Sequence, residues 1–261
     1  MKIPKRALSC LLALACGDSY GSAYETEGLV GARWPAASLP NIPVEPTVTD
    51  DTKMAVLLME HYKRYGRLDI PMLTLSYRFW AKEEGHADGI GIQTASVLLD
   101  GSRDKSSQGN GALMRSVPFG VWLTEMGFGF EEAVARMNED AAITHANEMV
   151  FLANRLALDI ALHGIGTAED MQYTPLVRKL YPGRTAWVVH TLFTVLEALR
   201  RGYSFLDGFK YIVSQGGDTD TNCAVFGALK GAGEDIEDEL DMAAFLPKAF
   251  LQRMEKLSEN K

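Results

Sequence analysis

A chain of 261 residues, 47% hydrophobic and 23% charged, is long enough for one large core and has an ordinary globular make-up. Its formal charge of -8 excludes the basic surface that non-specific nucleic-acid binding requires. No apolar run reaches the roughly 18 residues of a membrane-spanning helix. Three cysteines (Cys10, Cys16, Cys223), odd in number and without CxxC spacing, read as reduced thiols in a reducing compartment.

In chain order, residues 5–16 read as a helix that is apolar nearly all round and stops at Gly17. Lys2, Lys5 and Arg6 ahead of that run imitate a secretory signal. The polar motif that starts directly at Gly17-Asp18 argues for a cytoplasmic protein instead. Residues 28–48 hold four prolines (Pro35, Pro40, Pro43, Pro46) and no helical period, which predicts a loop or lid. A helix over 50–65 follows, with Met54, Leu57, Leu58, His61 and Tyr62 at three-and-four spacing. Pro71 opens a helical stretch through Trp80, and residues 90–99 form a short one. Further helical patterns cover 112–126, 131–143, 147–163, 184–200 and 205–214. Gly216-Gly217 leads into a helix of small residues ending near Gly231, and an amphipathic helix spans 238–256. Hairpin signals are scarce. The expectation is an all-α fold, a single-domain multi-helix bundle over residues 1–261.

Two stretches concentrate oxygen ligands. Thr49-Asp50-Asp51-Thr52 and Asp218-Thr219-Asp220-Thr221 each place two carboxylates and two hydroxyls at a helix start. One such stretch is ordinary N-capping, worth about 1 kcal/mol. Two of them in a chain of this size point to a shared cation, because buried carboxylates without a partner either protonate or bind metal. An all-oxygen set suits Mg²⁺, Mn²⁺ or Ca²⁺ and not zinc. Gly109-Asn110-Gly111 opens a helix and presents backbone N–H groups to an anion, a weak signal when taken alone. A solitary histidine such as His145, standing between two helical stretches, is more often structural, and Glu25 by itself says little.

Taken together and in order, Gly17-Asp18 through Glu25, Thr49 through Thr52, Ser107 through Arg115, Thr144-His145 and Gly216 through Asn222 carry a resemblance. The chain resembles the ADP-ribosylglycohydrolase family, that of the dinitrogenase reductase-activating glycohydrolase and the metal-dependent ADP-ribosylhydrolases. The resemblance implies an all-α fold with a binuclear cleft holding two Mg²⁺ (or Mn²⁺) ions. It implies Thr49, Asp50 and Asp51 as ligands on one side of the pair, and Asp218, Asp220 and Thr221 on the other. Glu25 and Asp218 become the catalytic candidates. Ser107, Gly109, Asn110 and Gly111 would hold the diphosphate and distal ribose, with His145 near that ribose.

The implied reaction is hydrolysis of the ribose C1″ bond that links ADP-ribose to a modified protein or other target, with free ADP-ribose as product. An arginine linkage is slightly favoured over serine (O-linked) or nucleic-acid linkages, and a non-catalytic ADP-ribose binder is the other reading. The proline-rich 28–48 loop and the acidic 233–238 segment depart from the family pattern and leave the target class open.

Overall fold

The computed structural model describes residues 2–25, 34–166 and 186–259. The first part of the predicted 28–48 loop and residues 184–185 of a predicted helix lie outside the described residues. The helices are α1 (Lys5–Gly21), α2 (Asp50–Tyr65), α3 (Ile70–Glu83), α4 (Ile92–Leu98), α5 (Leu113–Glu125) and α6 (Phe130–Thr144). There follow α7 (Glu148–His163), α8 (Val188–Arg200), α9 (Phe205–Gln215), α10 (Thr219–Gly231), α11 (Met242–Phe245) and α12 (Lys248–Ser258). No strand occurs among the described residues; the β-type pairing they contain is an isolated antiparallel bridge between Gly109 and Trp187. The all-α expectation holds.

The centre of the bundle is the pair α1 and α10, which touch backbone to backbone. A Cβ at Gly17 would overlap the Cys223 carbonyl, and one at Gly227 would overlap the Ala13 carbonyl. Glycine at these points therefore permits an approach that no other residue allows. This also corrects the predicted end of the first helix. Gly17 does not stop α1, which runs on to Gly21 with Ala7 and every residue from Ser9 to Gly21 buried. The stretch that imitates a secretory signal is a core element of this fold. All three cysteines are free and buried. Among the described residues no helix is long and apolar enough to cross a membrane.

A second correction lies at the far end. The predicted 238–256 helix breaks into α11 and α12, because Leu246 is extended (φ −126°, ψ 144°) ahead of Pro247. A proline ring disfavours helical backbone at the residue before it and removes its own donor. The remaining predicted helices start and end within about three residues of those observed, apart from the 184–200 pattern, which begins as α8 at Val188. The described part of the predicted loop, residues 34–48, holds only one short 3₁₀ turn at Ala36–Ser38.

Candidate functional site

Three helix ends meet at one place: the last turn of α1 and the first turns of α2 and α10. Asp18 joins the first two. Fully buried, it accepts hydrogen bonds from the Thr49 backbone N–H (2.9 Å), the Thr49 hydroxyl (2.8 Å), the Thr52 backbone N–H (3.3 Å) and the Thr52 hydroxyl. Burial pushes Asp18 up to about 6, against these donors, which lower it. Thr49 does not cap α2 with its own side chain, since that hydroxyl is turned to Asp18. Sequence reasoning gave Asp18 no role.

Beside this junction lies a cavity of about 480 Å³ whose wall carries Glu25, Asp50, Asp51, Asp218 and Asp220. Carboxylate oxygens of Glu25, Asp218 and Asp220 lie within 4.8 Å of one another, close enough to share one cation. The Thr221 hydroxyl lies 3.3 Å from Asp51 Oδ2 and ties the two acidic stretches together. Asp50 accepts the Gly91 N–H at 3.2 Å. Burial raises Asp50, Asp51 and Asp220 well above the usual carboxylate range, and the neighbouring carboxylates raise them further. Thr49 and Ser107 stand outside the cavity wall, unlike the other predicted site residues.

These residues fit a hard divalent cation. Every side-chain donor at the junction of the two stretches is an oxygen. Asp51 Oδ1 is buried with no hydrogen-bond partner among the described residues, a state that costs free energy unless a cation takes the lone pair. No lysine or arginine lines the cavity among the described residues.

The opposite wall is the glycine loop before α5. Asn110 is buried, and its amide donates to Asp218 Oδ2 at 2.8 Å and to Thr191 Oγ1 at 2.9 Å. Gly109 and Gly111 flank the His145 ring; a Cβ on Gly111 would sit 2.8 Å from His145 Cε1. Behind them Arg115, fully buried, pairs with Asp140 at 2.9 Å and donates to the Gly111 carbonyl (2.6 Å) and the Thr144 hydroxyl (3.1 Å). That hydroxyl lies 2.9 Å from His145 Nδ1. Thr144 Oγ1 thus accepts from Arg115 and faces Nδ1 of the ring, while Nε2 lies beside Gly109. Burial, and after it the Arg115 charge, lowers His145 to about 3. The ring is neutral at ordinary pH.

An all-helical bundle with such an acidic cleft has the oxygen donors that a metal-assisted hydrolase would need. A family model described as ADP-ribosylglycohydrolase matches residues 1–170 and 153–257, so the chain belongs to that family and is a hydrolase of ADP-ribosyl glycosidic bonds. It is similar to the ADP-ribosyl-[dinitrogen reductase] glycohydrolase of Rhodospirillum rubrum, 27% identical over 96% of this chain and 90% of that protein. It is also similar to the ADP-ribosylarginine hydrolase Tri1 of Pseudomonas putida, 25% identical over 87% of this chain and 70% of that protein. A solved ADP-ribosylglycohydrolase-related protein complex shares the fold with a TM-score of 0.74 at 24% identity, covering 97% and 95% of the two chains.

Proposed function

We propose that this protein removes ADP-ribose from a modified protein, with two Mg²⁺ (or Mn²⁺) ions bound between Asp50, Asp51, Asp218, Asp220 and Thr221, and an arginine linkage as the preferred substrate. The observation that carries the reading is a cavity with five carboxylates and no lysine or arginine among its described lining residues. An anionic ADP-ribose cannot enter such a wall unless cations offset it. The arginine preference is supported by the relative whose name states that linkage. Buried free thiols support a cytoplasmic location.

When bound, the cations supply charge that holds ribose hydroxyls and lowers the pKa of water. The chain's own residues do the rest. Glu25, at the mouth, or Asp218 takes the proton of the attacking water as positive charge builds at C1″. Asn110 holds the Asp218 carboxylate in one orientation. The Gly109 and Gly111 N–H groups and the His145 ring would meet the diphosphate and distal ribose, the Asn110 N–H being taken by the Ala186 carbonyl, and the two glycines leave room for it.

The test is release of free ADP-ribose from arginine-, serine- and DNA-base-linked substrates at equal concentration, with and without chelator. The expected result is metal-dependent release with the highest kcat/KM for the arginine linkage. A clear serine preference overturns the linkage, undiminished release in excess chelator overturns the metal role, and release from none of them leaves a binder.

A further inference from the structure

We infer that Asp18 is the positioning residue for one half of the metal site, setting Asp50 and Asp51 without touching metal or substrate; this rests on the metal reading above. Asp18 is 0% exposed and does not line the cavity. All four hydrogen bonds to its carboxylate come from Thr49 and Thr52, the two residues that bracket Asp50-Asp51. The same turn of α1 grips the other acidic stretch by different means. The Thr219 hydroxyl donates to the Gly21 carbonyl at 2.8 Å, and a Cβ at Gly21 would overlap the Thr219 carbonyl. One rigid helical turn therefore fixes the spacing of both half-sites, with a carboxylate on one side and glycine contacts on the other.

The proton of Thr49 shows what the carboxylate adds. Thr49 Oγ1 lies 2.8 Å from Asp18 Oδ1 and 3.3 Å from Asp51 Oδ2, and it has one hydrogen to give. The charged, nearer Asp18 takes it, which leaves Asp51 Oδ2 with the Thr221 hydroxyl as its remaining side-chain donor and Asp51 Oδ1 without one. An amide at position 18 reverses this. Its NH₂ would donate to Thr49, whose hydroxyl hydrogen would then turn to Asp51 and block a lone pair a cation needs.

The predicted consequence is asymmetric. In Asp18→Asn the Asp50/Asp51 half weakens, whereas the Glu25/Asp218/Asp220 cluster keeps its geometry. Outer groups of this kind change metal affinity by about 10- to 100-fold. The experiment is Mn²⁺ titration followed by electron paramagnetic resonance, on proteins whose helical circular dichroism is checked first. Wild type is expected to bind two Mn²⁺ with a spin-coupled spectrum. Asp18→Asn is expected to bind one tightly, with an isolated-ion spectrum and the second weakened at least about tenfold.

Two further variants keep the test decisive if Asp18→Asn does not fold. Thr52→Val keeps the shape and removes the hydroxyl, and is expected to weaken the second Mn²⁺. Thr52→Ser keeps the hydroxyl and removes a methyl, and is expected to match wild type. A role in packing alone predicts the opposite order and overturns the inference, as does wild-type Mn²⁺ binding by both Asp18→Asn and Thr52→Val. Wild type that binds no Mn²⁺ overturns the metal reading itself, and the inference with it.

Discussion

Asn110 donates an amide hydrogen to Asp218 at 2.8 Å, across the cavity from the helix turn that carries the other carboxylates. Its second amide contact, to Thr191 at 2.9 Å, pins it from behind. The glycine loop therefore orients a candidate general base. In Asn110→Ala the Asp218 carboxylate loses that restraint. We expect kcat to fall about 10- to 100-fold, the range for outer groups that orient a ligand, with helicity unchanged. Steady-state kinetics on the ADP-ribosylated substrate decides it; an unaltered kcat with a raised KM would mean that Asn110 acts on substrate alone.

Metal removal follows from the buried carboxylates. Excess EDTA is expected to abolish hydrolysis, and Mg²⁺ or Mn²⁺ to restore it. A cation that binds only the folded state at 100 times its Kd adds about 2.7 kcal/mol, or about 5–10 °C in Tm for a chain of this size. Asp220→Asn removes charge at constant volume, so its fold should persist while activity drops by orders of magnitude. Differential scanning calorimetry with and without Mg²⁺ checks the first part, and turnover the second. A Tm indifferent to Mg²⁺ in wild type would count against a structural cation at this junction.

Much of the molecule was legible in its sequence, and what was not has identifiable causes. Long periodic segments such as 50–65 and 205–214 declare themselves, because their apolar spacing is also their packing face. The Gly17 boundary was misjudged because a glycine that permits backbone contact across 200 residues looks locally like a helix stop. The break at Leu246 was missed because amphipathic spacing continues on both sides of Pro247. Within the site, the carboxylates stood out by their density. Asp18 did not, since its partners Thr49 and Thr52 lie more than thirty residues away and a single buried Asp has no pattern. The amide of Asn110 likewise meets Asp218 only through the fold, 108 residues on.

The α1–α10 contact makes a prediction about stability that is independent of the chemistry. In Gly227→Ala the added methyl must displace the Ala13 backbone, which cannot move without disturbing the whole of α1. Overpacking of this kind costs about 1–3 kcal/mol, and more where backbone blocks the way. A Tm lower by at least about 5 °C is expected. Gly66→Ala is a poor comparison because of its left-handed φ of 65°, whereas the exposed Gly91, with open space at Cβ and an ordinary φ of −64°, is a proper control expected to change little. Equal Tm values for Gly227→Ala and Gly91→Ala would show that the two helices separate readily.

His145 gives the last prediction, a dependence of stability on acidity. In the folded protein, burial first and the Arg115 charge second hold its pKa at about 3, against an ordinary value of 6.5. Between those values the unfolded chain binds a proton that the folded one refuses, so stability rises with pH across that window. The contribution is complete above about 6.5 and is lost progressively as pH falls toward about 3. Other groups titrate there too, but a difference between variants cancels them. His145→Gln keeps a polar side chain between Gly109 and Gly111 without a group that titrates there. Urea unfolding of both proteins from pH 7 to pH 4 should show wild type losing more stability than the variant over the same interval. Parallel curves would mean that His145 protonates in the folded state, and that a neutral ring is not what faces the ligand.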